Sequence, residues 1–314
     1  MRGRKERKRA MKSSPASNRP LVPGAPGRPE EIESPTNRRL VHPLSRVLVD
    51  RLVHTRVTPN QVSVAGVFLA AAGAICYWRL PWPWAALVGL PFWFAWHVLD
   101  GADGDLARRT GRASTSGELV DGICDHLSQA LLYVALALVL QRTTGGWAWV
   151  LAVAAGASHF LQSNVYETGR KTYRRWVYGT AWMRQGFSGK NPVQAALGGL
   201  YLAVSRLASP GEERLEAAAG PILAAGGDGE RAMRARYRTM FAPLVKASGV
   251  LGGNARTIAA FLSMLAGRPG WFFLFEIVAL NLVLVVAIVR RRRLEKTLLD
   301  SLGATAPQAA SAPN

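Results

Sequence analysis

The sequence predicts an all-α polytopic membrane protein, with about six transmembrane helices and further amphipathic helices at the membrane interface. Long, nearly uncharged stretches alternate with blocks of charge, and about 20 apolar residues suffice to span a bilayer as a helix. The 39 Lys and Arg residues outnumber the 20 Asp and Glu residues and concentrate in alternate loops, as in membrane proteins of fixed orientation. Only two cysteines occur, Cys76 and Cys124, which excludes a disulfide framework and a cysteine-based zinc site.

The first predicted span has the clearest start signal. In Thr58-Pro59-Asn60, Thr58 suits the N-cap and Pro59 the first helical position. The fifth span is interrupted by Gly252-Gly253-Asn254 and by Arg256, and the sixth contains Glu276 and Asn281. The spans cover about residues 61–78, 82–98, 117–140, 147–165, 248–265 and 271–289.

Basic residues predict the orientation of these spans. The loops after spans one, three and five hold essentially Arg79, Arg142 and Arg268, whereas the other segments hold the remaining basic residues. Since positively charged loops stay in the cytoplasm, both termini and the loops after spans two and four are predicted to be cytoplasmic.

The chain divides into a basic disordered tail at 1–38, a membrane domain at 39–293 and a cytoplasmic tail at 294–314. Residues 41–57 predict an interfacial helix ahead of the first span. An insert at about 180–245 contains a predicted interfacial helix at 193–207 and a Gly- and Ala-rich, flexible segment at 217–229. Tyr237 lies among arginines in a pattern that resembles RNA-binding composition. Beside six spans, this pattern favours a membrane-surface helix and no nucleic-acid partner.

Five aspartates lie within residues 100–125, at the predicted cytoplasmic ends of spans two and three. The i, i+3 spacing of Asp100 and Asp103 places both on one helix face, as does the i, i+4 spacing of Asp121 and Asp125. Two helices that each offer two carboxylates form an oxygen-rich pocket suited to hard divalent cations. Two such ions bind a pyrophosphate and align an in-line displacement. The glycines at 101, 104 and 117 allow close backbone approach, and the arginine at 108 suits a phosphate.

The spacing D-x2-D-G-x2-A-R-x8-G-x3-D-x3-D resembles the signature of the CDP-alcohol phosphatidyltransferase family, and the resemblance extends over about residues 41–165. It implies that the four aspartates bind two divalent cations, Mg²⁺ or Mn²⁺. It also implies that the glycines, the alanine and the arginine shape the CDP site, that Asp125 accepts the proton of the acceptor hydroxyl, and that the protein is a homodimer. The motif residues are Asp100, Asp103, Gly104, Ala107, Arg108, Gly117, Asp121 and Asp125.

The resemblance implies an enzyme of phospholipid biosynthesis that transfers a phosphatidyl group from CDP-diacylglycerol to an alcohol and releases CMP. A polyol phosphate is favoured as acceptor because of a basic cluster after span four. One alternative reverses the partners, with a CDP-linked small alcohol as donor and a lipid alcohol such as diacylglycerol as acceptor. A second is a non-enzymatic membrane scaffold or transporter whose aspartates bind ions.

The candidate acceptor-binding residues are Arg170, Lys171, Arg174 and Arg256. For the cluster after span four, the alternative is anchoring at the membrane interface. For Arg256, an intramembrane charge is by default a functional candidate, but a shortened helix explains it equally. His126 is interpreted as a packing residue or a support for the site rather than a second base, because it points about 100° away from Asp125 on a helix. His159, on the apolar fourth span, is interpreted as a satisfied interior residue.

Overall fold

The structure is a computed structural model that describes residues 29–180, 199, 203, 206, 209 and 211–305. The described residues form helices and no strands, which confirms the all-α prediction. The predicted interfacial helix at 193–207 lies largely outside the described residues. The helices are α1 His42–Leu52, α2 Pro59–Arg79, α3 Trp84–Arg109, α4 Thr115–Thr144, α5 Trp147–Tyr178, α6 Glu212–Ala225, α7 Gly227–Ala247, α8 Gly253–Leu265, α9 Gly270–Leu274 and α10 Leu280–Thr305.

Four stretches of helix are long and apolar enough to cross a membrane. They are Pro59–Arg79, Trp84–Arg109, Ser116–Thr144 and Gly270–Gly303, the last running from α9 through a π-helical turn into α10. Large apolar side chains remain exposed on their surfaces, as at Phe68, which is 72% exposed, and such surface is suited to lipid contact. The first, second, third and sixth predicted spans are therefore confirmed, and the chain is a multi-pass membrane protein.

The fourth and fifth predicted spans differ from the other four. Helix α5 is 32 residues long, but it buries polar side chains such as His159 and Gln162, which lower its apolar character. Helix α8 has only 13 residues and reaches about 20 Å, less than the roughly 30 Å thickness of the hydrocarbon region. The fifth predicted span is therefore a short helix, because the chain turns at Ser248–Leu251 before α8 begins.

Helices α2, α3 and α4 pack closely around a core within the membrane region. The start of α2 is capped as predicted, since the Thr58 amide donates to the Gln61 side chain and the Thr58 hydroxyl accepts from the Gln61 amide. Glycine permits the close approach of α2 and α3: a Cβ on Gly89 would lie 2.3 Å from the Tyr77 ring. Helix α3 carries Asp100 and Asp103, and α2 carries Ser63, which contacts Asp103.

A second core joins α5, α6, α7 and α10, and its existence corrects two predictions. Its buried members include Ile32, Tyr173, Trp176, Leu215, Tyr237, Phe241 and Leu298. The segment predicted to be flexible is helical, apart from a turn at Gly226 and Gly227, whose φ angles of 70° and 71° suit glycine. Tyr237, predicted on a membrane-surface helix, is buried and stacks on Phe241 with ring centroids 4.1 Å apart.

Parts of both predicted tails are helical and pack against the second core where the structure describes them. Ile32 is only 2% exposed and packs in the second core, so residues 30–32 belong to the folded unit. Helix α10 continues to Thr305, with Leu298 fully buried. Isolated apolar residues in polar sequence carry no periodic signal, and only the partner surface supplied by α6 and α7 makes their burial favourable.

Candidate active site

The carboxylates of the aspartate motif meet where the end of α3 faces the start of α4. Asp100, Asp121 and Asp125 each offer an oxygen, and these oxygens lie within 4.8 Å of one another. All three residues are partly buried. The predicted clustering of residues from the two helices is therefore present, and these three residues are called the carboxylate cluster below.

Asp103 does not belong to this group of three, although its side chain interacts with that of Asp121. Its Oδ2 accepts a hydrogen bond from the Ser63 hydroxyl at 2.5 Å, and its Oδ1 accepts from the Gly104 amide. Asp103 is only 4% exposed. Through Ser63, α2 thus fixes one carboxylate of the motif. The sequence did not indicate this contact, although Ser63 follows the Thr58 cap by about one helical turn.

The donor set of the cluster fits a hard divalent cation. Oxygen ligands of one octahedral Mg²⁺, at about 2.1 Å from the ion, lie about 3 to 4 Å from one another. The separations within the carboxylate cluster need only a small contraction to match this. Among the described residues, this cluster offers oxygen donors only, and the nearby Cys124 sulfur is not part of it. Three carboxylates suffice to hold one ion, and a second ion would need Asp103 as a further ligand.

The remaining motif residues lie on the last turns of α3 and in the first turn of α4. Gly104 lies beside the Arg108 guanidinium, which would be 3.4 Å from an added Cβ, while Ala107 is half-buried. Arg108 is an exposed residue and pairs with Asp105 one turn earlier. The Gly117 amide donates to the side chain of Ser114, which caps the start of α4.

Gly101 has a packing role rather than the predicted role in nucleotide approach. A Cβ at this position would lie 2.6 Å from the Ser45 hydroxyl of α1. That hydroxyl donates to the Val98 carbonyl at 2.8 Å. Glycine is therefore required here because α1 packs against α3.

Of the basic residues after span four, two are held in ion pairs by one glutamate. Arg170 donates to Glu167 at 3.1 Å and lies 3.9 Å from Glu33, and the Lys171 ammonium lies 4.0 Å from Glu167. Glu33 comes from the segment predicted to be a disordered tail. These contacts already supply negative charge to Arg170 and Lys171.

Arg174 differs from these neighbours. Its Nε is buried and has no hydrogen-bond partner within the described residues. Burial, together with the nearby charge of Arg170, lowers the pKa of the Arg174 guanidinium. Arg174 also interacts electrostatically with Arg108, near the end of α3, and with Glu118, in the first turn of α4. An anion at this position would therefore fill an open hydrogen bond and offset a positive charge.

Arg256 is fully buried, and its guanidinium is occupied by protein groups. Its Nε lies 3.0 Å from Glu276, its Nη2 donates to Gln162 at 2.6 Å, and its Nη1 donates to the Leu251 carbonyl. This geometry favours the structural interpretation of Arg256 over an acceptor-binding one. The π-helical turn Phe275–Ala279 contains Glu276, whose carbonyl accepts from Gln162.

His126 and His159 lie together beside this network. Their ring centroids are 6.3 Å apart, and His159 Nδ1 lies 3.8 Å from Glu276. His126 bonds through Nδ1 to the Gly122 carbonyl of its own helix at 2.7 Å. Neither histidine belongs to the carboxylate cluster.

Residues 56–209 match the family model described as CDP-alcohol phosphatidyltransferase. This range includes α2 to α5, and therefore every residue of the carboxylate cluster as well as Arg170, Lys171 and Arg174. Arg256, α8, α9 and α10 lie beyond the matched residues.

Relatives in several organisms match part of the chain. Cholinephosphotransferase 1 of Xenopus laevis is 31% identical over 134 residues, covering 38% of this chain and 32% of the relative. The bifunctional IPC transferase and DIPP synthase of Archaeoglobus fulgidus is 29% identical over 113 residues, covering 36% of this chain and 21% of the relative. Phosphatidylinositol phosphate synthase of Cutibacterium acnes is 32% identical over 125 residues, covering 38% and 56%. The chain thus spans less than two thirds of the length of each relative.

Proposed function

We propose that this chain is a member of the CDP-alcohol phosphatidyltransferase family, whose model residues 56–209 match, and that it transfers a substituted phosphate group from a CDP-linked donor to an alcohol, with release of CMP. The observation that carries this proposal is the carboxylate cluster, in which oxygens of Asp100, Asp121 and Asp125 converge from two helices. Buried carboxylates at this spacing repel one another unless cations or protons neutralise them. A metal-dependent phosphoryl-type transfer makes use of that arrangement.

The carboxylate cluster would hold one divalent cation, Mg²⁺ or Mn²⁺, and Asp103 would contribute to a second. When bound, such ions neutralise the pyrophosphate of a CDP-linked donor and favour displacement at phosphorus. The Ser63 hydroxyl orients the Asp103 carboxylate through its hydrogen bond. Gly104, Ala107, Arg108 and Gly117 would contact the CDP moiety, Arg108 by exchanging its Asp105 partner for a phosphate oxygen.

Asp125 would act as the general base. In this step the acceptor hydroxyl gives its proton to the Asp125 carboxylate, and its oxygen forms a bond to the phosphorus that bears the transferred group. The bond from that phosphorus to the CMP oxygen breaks, and CMP leaves. The cluster lies between the ends of two membrane spans, which allows a lipid-linked donor to reach it from the bilayer.

CDP-diacylglycerol is the proposed donor, and an alcohol that carries a phosphate is the proposed acceptor. The open Nε of Arg174 supports the phosphorylated acceptor, because a buried guanidinium nitrogen without a partner favours an anionic ligand. The relative from Cutibacterium acnes, named a phosphatidylinositol phosphate synthase, agrees with this choice.

The reversed arrangement is the second candidate, with a CDP-linked small alcohol as donor and a lipid alcohol as acceptor. The similarity to cholinephosphotransferase 1 of Xenopus laevis favours it. It needs no basic acceptor site, so Arg170, Lys171 and Arg174 would then serve as anchors at the membrane interface. The cytoplasmic orientation of the site and the homodimer remain predictions common to both arrangements.

The test is CMP release by the detergent-solubilised full chain with Mg²⁺. We expect release with CDP-diacylglycerol only when an acceptor such as glycerol 3-phosphate or inositol phosphate is added. Release only with CDP-choline and diacylglycerol would replace this proposal by the reversed arrangement. No release with either substrate pair, from protein that remains monodisperse, would overturn the enzymatic proposal and favour an ion-binding scaffold or transporter.

A prediction concerns Arg174. Replacing it by Gln should raise the KM for a phosphorylated acceptor about tenfold or more, with little change in kcat, because one charge-assisted hydrogen bond is lost. Initial rates of CMP release against acceptor concentration measure this. Arg175→Gln is the matched control on the same helix, since Arg175 contacts Glu212 and Glu216 instead. An unchanged KM in Arg174→Gln, or an equal rise in both variants, would contradict the role of Arg174.

A further inference from the structure

A groove on the outer surface of α7 and α10 lies apart from the residues assigned to the carboxylate cluster and to the acceptor. It has a volume of about 310 Å³. The groove is lined by Met240, Pro243, Leu244, Leu294, Arg290 and Arg293. Four of these side chains are apolar and two are cationic, and no acidic residue lines it.

The two arginines of the groove are available to an anion. Arg290 and Arg293 are both exposed and form no ion pair with any described residue. Arg291, between them, is instead buried and pairs with Glu295 at 2.9 Å. The i, i+3 spacing brings Arg290 and Arg293 to the same side of α10, beside α7.

The position of the groove along α10 places it at the membrane boundary. The apolar part of the last span ends at Val289, and the four consecutive arginines begin at the next residue. Exposed Leu282 and Val285 precede this point on the lipid-facing surface of the same helix. A ligand in the groove would therefore have its charged part at the arginines, beside Leu244, and its apolar part toward the bilayer-facing surface that ends at Val289.

We propose that this groove binds the phosphate of an anionic phospholipid between Arg290 and Arg293, with the glycerol backbone and the upper acyl chain against the apolar side chains of α7 and α10. A soluble phosphate would use only the cationic part of the groove, and a zwitterionic lipid would bring its own cation to the arginines. The division of the lining into two cations and four apolar side chains favours the anionic lipid. The bound lipid would fasten α7, a helix of the second core, to the last span at the membrane surface.

The experiment measures the affinity of the full chain in detergent for dioctanoyl phosphatidylglycerol, for example by thermophoresis. The double variant Arg290→Gln/Arg293→Gln is compared with Arg292→Gln/Lys296→Gln. This matched control removes two exposed charges from the same helix but outside the groove. We expect the groove variant to bind about thirtyfold more weakly than the wild type, and the control to bind nearly as well.

An equal loss of affinity in both variants would show an effect of general surface charge and would overturn the proposed site. Unchanged affinity in both variants would overturn it as well. Dioctanoyl phosphatidylcholine that binds as tightly as phosphatidylglycerol would overturn the requirement for an anionic headgroup. Glycerol 3-phosphate binding that is weakened in Arg290→Gln/Arg293→Gln as strongly as phosphatidylglycerol binding would show a soluble phosphate site in the groove instead of a lipid site. The binding measurement needs no turnover, so it stands or fails separately from the proposed transferase activity.

Discussion

Replacing Asp125 by Asn is expected to slow CMP release about a thousandfold or more, while the protein remains folded. Asn keeps the size of the side chain but neither accepts a proton from the alcohol nor contributes negative charge to a cation. The oxygens of Asp100 and Asp121 lie within 4.8 Å of the Asp125 carboxylate, so the substitution also removes one of three converging ligands. The measurement is the steady-state rate with saturating substrates, alongside the Tm of the detergent-solubilised protein.

Asp50→Asn is the matched control for this prediction. Asp50 is also an aspartate of the membrane domain, but it is exposed and pairs with Arg109 rather than with the cluster. We expect its rate to stay within about twofold of the wild type, because an exposed ion pair contributes little. Asp125→Asn protein that is folded and retains most of its activity would remove Asp125 from the mechanism and leave the base unassigned.

The second large effect concerns stability. Replacing Arg256 by Met is expected to cost about 3–5 kcal/mol, because it leaves the buried Glu276 carboxylate without its partner. Both side chains of this ion pair are fully buried, and Arg256 also bonds to Gln162 of α5. The single substitution therefore disrupts contacts among three helical segments. The Tm in detergent, followed by tryptophan fluorescence, should fall strongly.

Two further variants separate the buried ion pair from general effects of charge. Arg256→Met/Glu276→Gln should recover a large part of the lost Tm, since no unpaired charge then remains buried. Arg231→Met breaks the exposed pair with Asp228 and should leave the Tm nearly unchanged. A normal Tm for Arg256→Met, together with a raised KM for the acceptor, would show that Arg256 binds the acceptor instead of supporting the fold.

The sequence by itself determined the helical class, four of the spans and the meeting of the motif aspartates. These features depend on local signals: apolar length for the spans, and spacings of three and four residues for the aspartate pairs. The start of α2 was likewise predicted from Thr58 and Pro59, because a helix cap is formed by neighbouring residues. The motif joins two consecutive helices, and a short connection keeps their ends together.

Only the tertiary structure decided which polar groups are already occupied. The bond between Ser63 and Asp103 joins residues that are 40 positions apart, and the pair of Arg256 and Glu276 joins two further segments. The second core likewise depends on distant partners, since Ile32 is buried only because α7 passes over it. Contacts of this kind leave no periodic pattern in the sequence, because their free energy arises when separate surfaces meet.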